Sequence, residues 1–143
     1  MVSDAVREVD RLVTALGQTV TAWGYFGSYI LAPNKEPGDL DILVIYNGDS
    51  FDFLKDRLFQ IKPEFACCVS YLNYSSIDAS KPSNGFYLDF IFMPSKKPNR
   101  EFFRRHEGLI SWHTKEYVPP PLTFDGTRRE KENRSLSVIR SGR

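Results

Sequence analysis

Two aspartates open a strongly apolar segment of the chain, residues 39–46, which read DLDILVIY. The aliphatic and β-branched content of this segment predicts a buried strand. Because side chains alternate along a strand, Asp39 and Asp41 share one face, about 7 Å apart, and Leu40 lies on the other. Burying a carboxylate without a partner costs several kcal/mol. Two carboxylates at the start of such a strand therefore require a partner, and a divalent metal ion can serve as one.

The rest of the chain carries hydrophobic patterns that predict a small α/β fold. Apolar residues recur at helical spacing in residues 3–16, 51–61 and 99–115, and strand-type residues fill residues 19–26, 64–72 and 86–93. Ser3 and Ser50 are candidate N-caps, and Gly17 follows the first helix as its stop. Residues 28–32 fit one helical turn before Pro33. We therefore expect a single small mixed β-sheet, with the helices packed on one face and the aspartates exposed on the other.

Length and composition indicate one globular domain. The 143 residues are 41% hydrophobic and 26% charged, which suits a folded soluble domain. We assign residues 1–117 to this domain and residues 118–143 to a Pro-rich, basic, weakly ordered tail. The N-terminal residues are charged where a signal peptide would be apolar. Polar residues interrupt the uncharged stretch 12–34. We therefore expect a cytoplasmic protein without a membrane span.

Charge is divided unevenly along the chain. Residues 1–94 carry a net charge of −5, and residues 95–143 carry a net charge of +6. A basic C-terminal third suits an anionic partner such as nucleic acid or nucleotide phosphate, although a solvated face and tail give the same count. Arg100, Arg104 and Arg105 are the candidates in this part for contacts to an acceptor substrate.

The cysteines and histidines do not form a zinc-type pattern. Cys67 and Cys68 are adjacent in an apolar run, where strand geometry directs them to opposite faces as buried free thiols. His106 and His113 fall on a predicted helical stripe, where packing is the commoner role of a histidine. With two residues of each kind, the sequence predicts no zinc site.

A third carboxylate, Asp89, lies inside the predicted strand 86–93. If that strand neighbours residues 39–46 in the sheet, Asp89 joins Asp39 and Asp41. Three carboxylates on one patch raise one another's pKa without a cation, whereas Mg²⁺ at about 2.0–2.1 Å from oxygen removes that cost. Mg²⁺ also leaves positions open for substrate phosphates. The structural alternative is that Asp39 caps a turn and Asp89 lies on a solvent edge of the sheet.

Gly27 and Ser28 follow the first predicted strand and fit phosphate chemistry. Glycine lets backbone approach a phosphate, and a helical turn after it offers free N–H groups at the positive end of its dipole. Ser28 adds a hydroxyl donor. Together with the aspartates, this pair predicts a triphosphate cradle beside a metal site.

Gly27-Ser28, ten intervening residues, then Asp39-Leu40-Asp41 and a later Asp89 make a pattern that resembles the nucleotidyltransferase superfamily of DNA polymerase beta. The short chain resembles the minimal nucleotidyltransferases, some of which act as antitoxins by adenylylating their paired toxins. The resemblance covers roughly residues 3–94. It implies a palm-like nucleotidyltransferase core in which Asp39 and Asp41 bind metal and the nucleoside triphosphate.

The same resemblance implies the remaining roles. Asp89 would act on the acceptor hydroxyl as metal ligand or general base, and Gly27 and Ser28 would hold the β- and γ-phosphates. Lys35 either reaches phosphate or is simply solvated. Tyr29 follows Gly-Ser where a small or basic residue is common in the family, which leaves the choice of nucleotide open.

We therefore expect a Mg²⁺-dependent nucleotidyltransferase. It would move a nucleoside monophosphate, AMP first, from a nucleoside triphosphate to a hydroxyl of a macromolecule. A protein Tyr, Ser or Thr is the favoured acceptor, as in antitoxin-like adenylylation, and an RNA end is the alternative because of the basic C-terminal third. A third interpretation is a catalytically silent protein whose surface binds a partner.

Overall fold

The computed structural model describes residues 2–72 and 86–122, which build one five-stranded β-sheet with helices. The elements in chain order are α1 (Val2–Leu16), β1 (Val20–Phe26), α2 (Ser28–Leu31), β2 (Asp39–Tyr46), α3 (Phe51–Gln60), β3 (Ala66–Tyr71), β4 (Tyr87–Pro94), α4 (Arg100–Arg105) and β5 (Ser111–Trp112). Strand β2 has the bounds that the sequence predicts, and α2 forms the expected single turn.

The strand order is β3-β4-β2-β1-β5. Strand β4 runs parallel to β2 and β3, whereas β1 is antiparallel to β2 and β5. The expected single mixed sheet is thereby confirmed. In the β2–β4 register, Asp39 lies opposite Tyr87 and Asp41 lies opposite Asp89. Both inner strands therefore present their aspartates at the same end of the sheet.

Helices α1 and α3 cover one face of the sheet. The buried side chains that meet there include Val9, Leu12, Leu16, Trp23, Leu40, Ile42, Val44, Leu54, Leu58, Val69, Leu88, Phe90 and Phe92. Full burial of such a side chain contributes about 1.5–3 kcal/mol, so this core fixes the helices against the strands. Ser50 caps α3 as predicted, because its hydroxyl accepts a hydrogen bond from the Phe53 N–H at 3.1 Å. Gly17 ends α1 with a φ of 92°.

The opposite face is also covered, which differs from the expectation that all helices pack on one side. Phe102 of α4 is fully buried there against the alternate residues of the strands. This second core contains Ala22, Phe26, Leu43, Ile45, Ile91, Met93 and Phe102. Strands β2 and β4 carry apolar side chains on both faces, so both faces need a cover. The aspartates lie on this second face, at the starts of β2 and β4.

The C-terminal helix is shorter than predicted. The sequence predicts a helix over residues 99–115, but α4 ends at Arg105 and the chain turns through Gly108, whose φ is 74°. Residues 111–112 then form β5 beside β1, and the His113 N–H donates to the Trp23 carbonyl at 2.9 Å. A glycine with a positive φ ends a helix. The edge of β1 then offers backbone hydrogen-bond partners to residues 111–113, which the helical spacing of apolar residues does not predict.

Four further expectations concern the cap of α1, the cysteines, the tail and a membrane span. The proposed Ser3 cap is wrong, because α1 already includes Val2 and Ser3 lies inside its first turn. Cys67 and Cys68 are buried thiols that are not joined in a disulfide, as expected. Of the predicted tail, residues 118–122 are described, and residues 123–143 lie outside the described residues, as do residues 73–85. Within the described ranges, no helix has both the length and the hydropathy that crossing a bilayer requires.

Candidate metal centre

Parallel pairing of β2 with β4 brings three aspartates together. Asp39 and Asp41 share a face of β2 because side chains on a strand return to the same face every second residue. Asp89 lies opposite Asp41 in the neighbouring strand. One carboxylate oxygen from each of the three residues lies within 4.8 Å of the other two. The sequence predicted this cluster only if the two strands were neighbours in the sheet. The structure shows that they are neighbours and that the three aspartates meet.

The cluster occupies the starts of β2 and β4 on the second face of the sheet. Leu43 and Ile91 follow on the same face and are buried in the second core under α4. The three aspartates are half-buried, so their side chains keep part of their surface accessible.

Gly27 lies directly against the Asp41 carboxylate. Strand β1 runs antiparallel to β2, so its last residue, Phe26, pairs with Asp41 and places Gly27 just beyond the pair. A Cβ atom on Gly27 would come within 2.1 Å of the Asp41 Oδ2 atom. Gly27 has φ 79° and ψ −156°, a conformation that is essentially restricted to glycine. Both the backbone conformation and the close carboxylate therefore require glycine here.

Helix α2 starts directly after Gly27, so Ser28 follows the residue that contacts the cluster. The N–H groups of Ile30 and Leu31 both donate to the Gly27 carbonyl, at 3.0 and 2.9 Å, which closes the turn. Ser28 is exposed at the first position of this turn. The predicted Gly-Ser pair and the predicted aspartates thus meet at one end of the sheet, although they belong to three different strands or turns of the chain.

The donor set suits a hard divalent cation. Three carboxylate oxygens are the ligands that Mg²⁺ prefers, and like charges this close repel one another when no cation is bound. One carboxylate oxygen from each of Asp39, Asp41 and Asp89 lies within 4.8 Å of the other two, so the three side chains could supply ligands to one ion.

Several other candidates are engaged elsewhere. The Arg100 guanidinium donates to the Pro120 carbonyl, and Arg104 pairs with Glu101, which holds the pKa of that carboxyl below its usual range through their hydrogen bond. Lys35 lines a cavity that it shares with Tyr25 rather than the aspartate cluster. The Arg105 side chain is exposed. The structure thus gives two of the three predicted acceptor-binding arginines local partners.

The histidines have packing roles, as the sequence suggested. His106 stacks on Phe102 with ring centroids 4.1 Å apart, and His113 stacks on Trp23 at 4.2 Å. The structure also reveals a neighbour that sequence reasoning treated only as a thiol. Cys68 lies opposite Asp89 in the β3–β4 register and is buried on the same face. Only the strand register, which the sequence does not state, could have placed it there.

Comparison of the chain with protein-family models, curated proteins and solved structures gives no match. The resemblance to nucleotidyltransferases therefore stays a prediction from the residues and their arrangement.

Proposed function

We propose that the chain is a divalent-metal-dependent nucleotidyltransferase. It moves a nucleoside monophosphate, with AMP the first to test, from a nucleoside triphosphate to a hydroxyl on a macromolecule. The observation that carries the proposal is the convergence of Asp39, Asp41 and Asp89, whose oxygens lie within 4.8 Å of one another beside Gly27. Metal-bridged phosphoryl chemistry uses this combination of carboxylates and close backbone.

Each residue has a separate role in this proposal. Asp39 and Asp41 would hold Mg²⁺, which would neutralise negative charge on the triphosphate. Gly27 and Ser28 contact the phosphates beside Asp41, and Asp89 orients the acceptor hydroxyl and accepts its proton. The hydroxyl oxygen bonds to the α-phosphorus while the bond from that phosphorus to its bridging oxygen breaks. Pyrophosphate leaves with the bonding electron pair.

A macromolecular acceptor fits the short part of the described chain that follows β4. That part contains α4, the short β5 and residues 113–122, and Phe102 of α4 packs in the second core. A small acceptor needs a pocket that encloses most of its surface. A protein acceptor brings its own surface to the end of the sheet that carries the aspartates. We therefore favour a protein hydroxyl over a small molecule.

The test measures transfer and metal binding in the same variants. The full chain is incubated with Mg²⁺, each α-labelled nucleoside triphosphate and cell lysate, and the label is followed into protein and RNA. Asp39→Asn removes a ligand without adding bulk and should abolish transfer. Asp56→Asn is the matched control, because Asp56 is exposed on α3. It should transfer label like the parent.

A second readout does not depend on knowing the acceptor. Mg²⁺ binds the folded state in this proposal, so it should raise the melting temperature of the parent and of Asp56→Asn but not that of Asp39→Asn. Transfer by Asp39→Asn within a few-fold of the parent would end the metal proposal. Metal-dependent stabilisation and partner capture without any transfer would instead support the catalytically silent interpretation.

A further inference from the structure

Two aromatic side chains pair with aspartates of the cluster in the strand register. Phe26 of β1 lies opposite Asp41, and Tyr87 of β4 lies opposite Asp39. Residues that pair across neighbouring strands direct their side chains to the same face of the sheet. Both rings therefore lie on the second face, beside carboxylates that would bind the metal in the proposed function.

The two rings differ in how much of their surface is accessible. Phe26 is 7% exposed in the second core, and its ring packs edge to face on the rings of Phe102 and His106, with centroids 5.1 and 5.3 Å apart. Tyr87 is half-buried at the start of β4. Of the two rings that pair with the aspartates, Tyr87 is therefore the one that a substrate can contact.

Tyr29 follows the Gly-Ser pair in the sequence but lies against the first core. Its ring contacts the ring of Tyr25 edge to face, with centroids 5.3 Å apart. Phe86, which precedes Tyr87, also packs against the first core. The first core and the aspartates are on opposite faces of the sheet. Neither Tyr29 nor Phe86 therefore competes with Tyr87 for a contact beside the cluster.

The residues that pair with Tyr87 have shorter side chains. On the β3 side its partner is Ala66, whose side chain is a single methyl group, and on the β2 side its partner is Asp39. A tyrosine side chain extends farther from the sheet than either of them. Strand β3 therefore adds little bulk beside the Tyr87 ring, and the ring lies next to a carboxylate of the cluster.

This position suits contact with the base of a nucleotide. A nucleoside triphosphate carries its base one ribose away from its phosphates. If the phosphates lie at the metal held by Asp39 and Asp41, the base lies beside the cluster. Bases stack on aromatic side chains because every base has a flat π-face. The two fused rings of a purine give a larger face than the single ring of a pyrimidine.

We propose that Tyr87 stacks on the base of the nucleoside triphosphate, so that the site prefers purine to pyrimidine nucleotides. This inference rests on the proposed function, because that function places the phosphates at Asp39 and Asp41. Stacking uses the ring of Tyr87 and not its hydroxyl. Phenylalanine at this position should therefore serve as well as tyrosine.

Calorimetric titration of the full chain in Mg²⁺ separates base binding from phosphate binding. The three probes are ATP, CTP and inorganic tripolyphosphate, which has phosphates and no base. The parent should bind ATP more tightly than CTP. Tyr87→Ala should weaken ATP at least about fivefold, as the loss of one stacked base predicts, and keep tripolyphosphate within about twofold of the parent. The difference between ATP and CTP should shrink in this variant.

Two further variants serve as controls. Tyr87→Phe keeps the ring and should bind ATP like the parent. Tyr71→Ala is the matched control, because Tyr71 is an exposed tyrosine at the far end of β3, where its ring packs on Phe51. It should bind all three probes like the parent. If Tyr87→Ala does not fold, Tyr87→Leu keeps an apolar side chain and should show the same selective loss of ATP.

The outcomes separate this inference from the proposed function. Equal weakening of ATP and tripolyphosphate in the folded Tyr87 variant, or no weakening of ATP, would overturn the stacking role and leave the metal centre as proposed. Equal affinity of the parent for ATP and CTP would overturn the purine preference. If the parent binds none of the three probes in Mg²⁺, the proposed function fails and this inference fails with it.

Discussion

At the scale of single residues, Gly27 and Asp41 constrain each other. The Asp41 Oδ2 atom occupies the space where any other residue at position 27 would have its Cβ, at 2.1 Å from that position. The φ of 79° and ψ of −156° at Gly27 cost a residue with a side chain about 1–3 kcal/mol. A substitution here therefore strains the backbone and displaces a carboxylate of the cluster.

Gly27→Ala should consequently lose stability and also lose the stabilisation that Mg²⁺ gives to the parent. Gly48→Ala is its control, since Gly48 has a φ of 98° but no neighbouring atom within 4 Å of the position that a Cβ would take. Gly48→Ala should lose about 1–3 kcal/mol in urea unfolding, and Gly27→Ala should lose more, because its Cβ atom also displaces the Asp41 carboxylate. Mg²⁺ should restore stability to Gly48→Ala alone. Equal stabilisation of both variants by Mg²⁺ would separate Gly27 from the metal centre.

Glu8 is a second residue whose environment is well defined, because it is charged and only 4% exposed. Its carboxylate accepts from the Arg11 Nε–H at 2.8 Å and from the Glu64 N–H at 2.7 Å. The Arg11 hydrogen bond is the main cause that lowers the pKa of Glu8, against the opposing effect of burial. This carboxylate therefore ties α1 to the segment that precedes β3.

Glu8→Gln should destabilise the protein by about 1.5–3 kcal/mol at neutral pH, because charged hydrogen bonds are lost. The folded pKa is the lower one, so the contribution of Glu8 is complete above its usual pKa of 4.5 and is lost as the pH falls through the folded value. Chemical unfolding at a series of pH values should show the difference between parent and variant shrinking in that acidic range. Asp4→Asn, which breaks an exposed pair with Arg7, should change stability by less than about 1 kcal/mol.

At the scale of elements, the pairing of the two-residue strand β5 with β1 depends on one close backbone contact. It consists of Ser111 and Trp112, which pair with Tyr25 and Gly24 of β1. A Cβ atom on Gly24 would lie 2.6 Å from the Ser111 carbonyl oxygen and 2.8 Å from the Trp112 Cα atom. The close approach of β5 to β1 therefore depends on glycine at position 24.

Gly24→Ala should push β5 away from β1 and cost about 1–3 kcal/mol, as overpacking does. Hydrogen exchange reports the change directly, because the His113 N–H donates to the Trp23 carbonyl at 2.9 Å. That amide should exchange faster, while the amides of β2 and β4 keep their protection. Gly38→Ala adds a Cβ with no neighbouring atom within 4 Å and should leave His113 protected. Unchanged protection of His113 in Gly24→Ala would contradict this account of β5.

At the scale of the whole molecule, the uneven charge bears on the acceptor. The cluster of aspartates lies in the part with a net charge of −5, and the basic part begins after β4. Arg100 and Arg104 have local partners within that basic part. A phosphate-binding surface needs cationic groups that are available to the nucleic acid. Within the proposed function, we therefore keep a protein acceptor ahead of RNA, because two of the three arginines predicted to contact the acceptor already have local partners.

The label transferred in lysate should accordingly appear in protein and change little with salt. A single-stranded RNA acceptor held by six or more phosphate contacts would lose at least about three hundredfold in affinity between roughly 50 and 200 mM salt. Transfer measured across that range, with protein and RNA products separated, distinguishes the two. Salt-steep labelling of RNA would replace the protein acceptor by the RNA end.

Local patterns in the sequence determined the elements whose signals are short in range. The bounds of β2, the Ser50 cap and the shared face of Asp39 and Asp41 all follow from alternation and capping within a few residues. The helical stripes likewise predicted α1 and α3, because one apolar face must be buried wherever the helix packs.

Tertiary structure decided what depends on contacts between distant segments. Asp89 reaches Asp41 only because β4 pairs in parallel with β2, a choice set by the burial of both strands and not by any local signal. The same holds for α4 on the second face and for β5, which replaced a predicted helix when the edge of β1 offered partners. A side-chain pattern depends only on residues that are close in sequence. Strand order depends on the whole chain, because it reduces the exposed apolar surface and the unpaired backbone groups of all the elements together.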